Sequence, residues 1–157
     1  MPAPDFVLNL RAKIGHDPLW LPGVKGVVFD DAGRVLLGQR ADTGEWALIT
    51  GMLEPGEEPA PGLLREIFEE TAVVAEVEGL VAVDVVGPVE FPNGDVCDFL
   101  SIVFRCRYVG GQTRVNDDES LAVGWFALDA LPPLRPGHRK SIDQALAFEG
   151  TTHFARA

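Results

Sequence analysis

The sequence predicts an α+β fold in which helices pack on the faces of a mixed β-sheet. Three observations predict it. Runs rich in valine and leucine at residues 24–29, 35–40 and 73–86 are bounded by turn residues, as strands are. From residue 59 onward, Leu63, Leu64, Ile67 and Phe68 recur at helical spacing and give one helix an apolar side. Strands therefore stand before and after a central helix, with hairpin signals between them, and that order makes a mixed sheet.

Each element has its own justification. Asp5 caps a short helix in which Phe6, Leu10 and Ile14 recur every fourth residue. Pro18 and Pro22-Gly23 end it, so residues 1–21 form an N-terminal helical extension. Its apolar side chains either cover the sheet or pair with a second copy of the chain in a homodimer. Residues 24–29 and 35–40 are strands joined by the turn Asp30-Asp31-Ala32-Gly33. Residues 46–49 are a further extended piece, with Trp46 packing in support of the glycine loop that follows. Pro55-Gly56 is turn chemistry, and Pro59 suits the first turn of the central helix, where N–H groups lack partners anyway. Gly62 weakens that turn.

Beyond the helix, residues 73–86 give one or two strands. Phe91-Pro92-Asn93-Gly94-Asp95 signals a hairpin. Residues 99–104 are a buried strand ending near Tyr108, Gly110-Gly111 turns the chain, and residues 123–126 are a last short strand. Leu131-Pro132-Pro133 breaks the chain before a terminal helix over residues 140–148, whose His138-Arg139-Lys140 start reads as solvated, with an anion contact at the helix N-terminus as the second reading. There is no repeat, low-complexity tract or linker, so residues 1–157 are expected to form one domain.

Composition narrows the function classes. The 157 residues carry a net charge of −11, without a block of Lys or Arg, which argues against stable nucleic-acid binding. A phosphate substrate then needs metal ions to screen the local charge. Cys97 and Cys106 have neither zinc-ligand nor redox-motif spacing and read as small buried hydrophobes. No run approaches the roughly 18 apolar residues of a membrane span, and the start of the chain lacks a signal-peptide pattern. A cytoplasmic location is expected, with no membrane association.

The informative stretch runs from Gly51 to Val73. Glu66, Glu69 and Glu70 stand at i, i+3 and i+4, one side of a helix. Like charges so placed weaken a helix by roughly 0.2–0.5 kcal/mol per pair, so a helix that keeps them together holds something positive, a divalent metal first. An acidic triplet alone is more often a solvated face. Here it follows Gly51, five residues, Glu57, seven residues and Arg65, and it precedes Ala72-Val73.

That pattern resembles the Nudix box, G-x5-E-x7-R-E-U-x-E-E-x-G-U with U a bulky aliphatic residue, over residues 51–73. One specified position departs, Ala72 for glycine, which leaves every charged position intact. Just outside the pattern, Thr50-Gly51-Met52 replaces the Pro-Gly-Gly common among relatives. The resemblance extends over roughly residues 22–148, with Trp125-Phe126 and Leu131-Pro132 closing it in the family manner.

The resemblance implies a Nudix fold, an α/β/α sandwich around a mixed sheet. It also implies metal-dependent hydrolysis of the diphosphate bond of a nucleoside diphosphate linked to a group X, either an ADP-ribose-like compound or a nucleoside triphosphate. Glu66, Glu69 and Glu70 match the family's metal-binding positions and would hold Mg²⁺ or Mn²⁺. Arg65 would organise a carboxylate through its two-pronged guanidinium, with Glu57 or Glu69 as partner. Thr50 would offer its backbone carbonyl. Relatives recruit a further carboxylate from a late loop; Glu119 fits first, with Asp117 and Asp118 as alternates, and the general base is Glu69 or Glu119. Arg40, at a strand end beside the box, is the candidate for binding substrate phosphate. Pro88, fifteen residues beyond Val73, resembles a spacing associated with ADP-ribose hydrolases. The alternatives are a non-catalytic Nudix sensor, which commonly loses box carboxylates, and an isoprenoid-diphosphate isomerase, which would need Cys97 or Cys106 to serve.

Overall fold

The computed structural model describes residues 4–91 and 93–156; residues 1–3, Ala157 and the Pro92 of the expected hairpin turn lie outside the described residues. In chain order the elements are α1 (Asp5–Ile14), β1 (Leu19–Phe29), β2 (Val35–Arg40), β3 (Trp46–Ala47), β4 (Ile49–Met52) and α2 (Pro59–Thr71). Then follow β5 (Val74–Glu90), β6 (Val96–Gly110), β7 (Ser120–Phe126) and α3 (Pro136–Leu146).

The sheet is mixed, as the sequence predicts. β1 runs parallel to β6 along its whole length, Leu19 opposite Cys97 through Phe29 opposite Arg107. The other ladders are antiparallel: β2 and β4 on β1, β3 and β7 on β2, and β5 on β6. Alternate residues of β1 enter different cores because strand side chains alternate between faces. Val24 and Val28 pack with Leu63 and Ile67 of α2, whereas Val27 and Phe29 pack with Ile142 and Ala145 of α3. The two helices thus cover opposite faces, and Gly26 lets α2 come close, since a Cβ there would lie 3.2 Å from both Leu63 and Ile67.

Several elements differ from expectation, each for a physical reason. Pro22 lies inside β1 instead of ending a helix. Its carbonyl accepts from Leu53 N–H at 3.2 Å, just past the Gly23–Met52 pair where the β4 ladder ends, so its missing N–H faces no ladder partner. The extended piece at 46–49 is two strands: β3 bonds to β2 and β4 to β1, which places Gly51 in a strand and not in a loop. β5 is one long strand that absorbs its excess residues as register shifts against β6. β7 starts at Ser120, earlier than expected, because it pairs with β2 as far as Arg40. α3 begins at Pro136, where proline again occupies the first turn.

α1 has also rolled by a residue. Pro4 occupies its N-cap position and Asp5 is the first helical residue, with no side-chain cap. Val7 is the buried contact, whereas Leu10 and Ile14 are each 37% exposed. Arg11, one turn after Val7, accounts for this: its Nε lies 3.0 Å from Asp95 Oδ1 in a pair that is 11% exposed on both sides. Sheltering that pair turns the Val7–Arg11 side inward.

The thiols are free and buried, Cys97 beneath α1 and Cys106 beneath α2. Burial pushes Cys106 up to about 12, which leaves no thiolate for isomerase chemistry. Trp46 packs edge-on against Phe126 with ring centroids 4.8 Å apart. Among the described residues, no helix is long and apolar enough to cross a membrane.

Candidate functional site

The box folds as strand, turn and helix. β4 carries Gly51, the turn carries Glu57, and α2 carries the acidic residues. Gly51 serves by what it lacks: a Cβ there would overlap the Glu66 side chain, which lies across the strand. Gly62 does the same one layer away. A Cβ on it would come within 2.9 Å of the Glu57 carboxylate, so the glycine that weakens the helix start makes room for an acid.

Arg65 ties these pieces together. Its Nε donates to Glu57 Oε1 at 2.8 Å and its Nη2 to Glu57 Oε2 at 2.9 Å, a two-pronged pair. Its Nη1 donates to Glu69 Oε2 at 2.9 Å and lies 3.1 Å from Glu66 Oε1. Both expected partners, Glu57 and Glu69, are engaged at once. The guanidinium holds the Glu57 carboxyl below its usual range, while the acids around Arg65 raise its own already high pKa.

The acidic triplet does not share one environment. Leu63, Ile67 and Glu70 follow the same helical stripe, so Glu70 is buried on the apolar side, with 8% exposure. Phe68, expected on that side, is 51% exposed instead. Burial, with Glu119, Asp117 and Glu66 facing it, pushes Glu70 up to about 8. Burial, only partly offset by Arg65, pushes Glu66 up to about 7. Glu69 is exposed and leans toward Arg65.

The late loop meets this helix. Glu119 lines a cavity of about 120 Å³ together with Met52, Glu54, Arg65, Glu66, Glu69 and Pro4. Burial first and Asp117 second raise the Glu119 pKa above the usual carboxylate range. Arg40 stands near enough for its charge to lower both Glu70 and Glu119. Its guanidinium is itself held by Asp42, Nε to Oδ1 at 2.9 Å and Nη2 to Oδ2 at 2.6 Å.

The donor set suits a hard divalent cation: carboxylate oxygens, partly buried, raised by burial first and by neighbouring acids second, with both nearby arginines already paired. Among the described residues no three such side chains converge closely enough to enclose an ion, since Arg65 draws Glu69 and Glu66 toward itself.

A larger, more open cavity of about 550 Å³ lies between α3 and the C-terminal tail. Its cations are already paired, Arg139 with Asp143 and Lys140 with Asp84. His138, a candidate anion contact, is half-buried in the first turn of α3. Sequence reasoning missed Met52, Glu54 and Pro4, which also line the site. It also missed Arg114 and Asn116, which bond the late loop to α2; an Asn directly before Asp117-Asp118-Glu119 was the available signal.

A family description, NUDIX domain, matches residues 20–145. A MutT-like protein of Streptomyces ambofaciens is 39% identical over 112 residues, covering 71% of this chain and 67% of that protein. An ADP-ribose pyrophosphatase of Methanocaldococcus jannaschii is 35% identical over 122 residues, covering 76% of this chain and 69% of the relative. Among solved structures, a MutT Nudix hydrolase from Burkholderia pseudomallei aligns with a TM-score of 0.64 at 31% identity, over 82% of this chain and 98% of that one. Since the match spans both sheet and box, and the relatives align over most of each chain, this protein belongs to the Nudix family of hydrolases, which act on phosphoric anhydride bonds.

Proposed function

We propose that the chain is a divalent-metal-dependent pyrophosphohydrolase that cleaves the diphosphate bond of a nucleoside diphosphate linked to a second group. ADP-ribose-like compounds rank first as substrates and nucleoside triphosphates second. One observation carries the metal dependence: Glu66 and Glu119 line one half-buried cleft, Glu70 lies buried within reach of both charges, and the nearby arginines are already paired with Glu57 and Asp42. The archaeal relative named for ADP-ribose supports the ranking, as does the position of Pro88.

In this reading Glu66, Glu69 and Glu70 would hold Mg²⁺ or Mn²⁺, which when bound neutralises phosphate oxygens and acidifies water. Arg65, fixed by Glu57, restrains Glu66 and Glu69 so that their carboxylates do not swing apart. Arg40 reaches the substrate phosphate by exchanging Asp42 for it. Glu119 takes the proton of the attacking water; Glu69 is the second choice of base. A P–O bond forms from that water as the anhydride P–O bond breaks, and the departing phosphate keeps the electron pair.

The test is hydrolysis of ADP-ribose and of nucleoside triphosphates in Mg²⁺ and again in excess EDTA. The expected result is turnover with metal and none in EDTA. Full activity in EDTA overturns the mechanism. Tight binding without turnover on any of them makes the domain a sensor.

A further inference from the structure

The segment from Gly111 to Asp118 reaches the acidic cleft without a helix or strand of its own, so other contacts set its course. Arg114 N–H donates to the Thr71 carbonyl at 3.1 Å, and Asn116 N–H to the Glu70 carbonyl at 3.2 Å. The Asn116 side chain adds Nδ2 to the Phe68 carbonyl at 3.1 Å. Its Oδ1 accepts from Arg114 Nη2 at 3.0 Å, which decides which end of the amide faces the helix. These carbonyls belong to the last turn of α2, where Glu70 and Thr71 lack helical donors and the Phe68 oxygen, which already accepts from Ala72 N–H, offers its second lone pair. Gly111 lies tight against the same helix end, since a Cβ there would overlap the Ala72 carbonyl oxygen. Further on, Asp117 Oδ1 accepts from Glu119 N–H at 3.0 Å, and the Glu119 carbonyl accepts from Ala41 N–H at 2.8 Å. Glu119 is thereby suspended between two anchors, one on the box helix and one beside Arg40.

We propose that Asn116 is a positioning residue for anhydride hydrolysis: its side-chain amide ties the loop to the backbone of the box helix and so sets where Glu119 stands against Glu66 and Glu70. The inference rests on the role given to Glu119 above. Glu119 is repelled by the acids it has to meet, and an untethered loop relieves that repulsion by swinging its carboxylate into water. The tether works against the swing. It also uses an amide donor at the negative end of a helix, where a carboxylate is disfavoured.

The experiment compares wild type with Asn116→Leu, which keeps the side-chain shape and removes the donor without adding charge. Thr113→Val is the control. It removes the acceptor of the 2.8 Å Trp125 Nε1 bond in the same loop and does not touch the helix end. Expected for Asn116→Leu is a kcat lowered about 10- to 100-fold with KM nearly unchanged, while Thr113→Val loses comparable thermal stability and keeps its kcat. In a Glu119→Gln background, Asn116→Leu is expected to have no further effect, since both act on one group. Mn²⁺ titration by electron paramagnetic resonance reads the same geometry without turnover, because the Glu119 carboxylate adds negative charge beside Glu66 and Glu70 even when it does not ligate the ion; Asn116→Leu is expected to bind the ion several-fold more weakly than Thr113→Val. Wild-type kcat and Mn²⁺ affinity in Asn116→Leu overturn the proposal, as does an additive loss in the Glu119→Gln background or an equal loss in Thr113→Val. Should wild type hydrolyse nothing, the functional reading fails separately, and the Mn²⁺ comparison still decides the role of Asn116.

Discussion

Glu70 follows Ile67 by three residues, which places an acid where the helix otherwise buries leucine and isoleucine. Its neighbours are other acids, Glu119, Asp117 and Glu66, opposed by Arg40, a cation already bound to Asp42. A carboxyl group so placed costs stability in the metal-free protein, either as a buried charge or as the proton it must take up, and a neutral amide of the same shape avoids both costs. Glu70→Gln is therefore expected to raise the metal-free melting temperature by several degrees, at about 2–4 °C per kcal/mol for a chain of this size, while turnover falls by roughly two orders of magnitude. Calorimetry and kcat on one preparation check both; a less stable variant that keeps its activity contradicts the assignment. At this scale much of the candidate site was legible, because the box fixes residue types and spacing together. Burial was not: spacing gives the angular position of Glu70 on the helix, but not which angle the sheet covers.

The end of α2 turns on Ala72, which adopts the left-handed conformation (φ 54°, ψ 18°) that favours glycine. Its N–H still closes the helix onto the Phe68 carbonyl, and its methyl is buried at 2% exposure. Strain of about 1–2 kcal/mol is set against roughly 0.5–1 kcal/mol of extra chain entropy for glycine and about 0.8 kcal/mol for a buried methyl. The opposing contributions nearly cancel. Ala72→Gly is expected to change unfolding free energy by less than about 1 kcal/mol, measured by urea denaturation; a gain above about 2 kcal/mol would mean that the strain is uncompensated. Element types were legible from periodicity, and boundaries less so. Pro22 reads locally as a breaker and is tolerated because the β4 ladder ends beside it. Ser120-Leu121-Ala122 shows no strand pattern of its own, yet it extends β7 because β2 offers it a partner. The roll of α1 depends on Asp95, which is distant in sequence from Arg11. Long-range pairing decides such cases, and a local pattern does not contain it.

For the molecule as a whole, α3 brings a half-buried titratable group, His138, against the sheet. Burial, reinforced by Lys25 of β1, Arg40 of β2 and Arg135 ahead of α3, pushes His138 from its ordinary 6.5 down to about 4. The native state then holds this ring neutral, and between those values the unfolded chain binds the extra proton. Stability from this residue is complete above about pH 6.5 and is lost as pH falls toward 4, by on the order of 2–3 kcal/mol. Wild type minus His138→Gln, by denaturation at pH 7.5 and pH 4.5, should show that difference; parallel curves reject it. The course of β1 carries a different consequence. Its partner along its full length, β6, is made long after it, since Leu19 pairs with Cys97 and Phe29 with Arg107. A nascent chain displays the whole box, Gly51 to Val73, before the strand that completes its platform has been synthesised. The loop bearing Glu119 comes later still. Closure of so long a loop precedes any benefit from the non-local pairing, so Glu119 meets Glu66 and Glu70 only on a scaffold already closed.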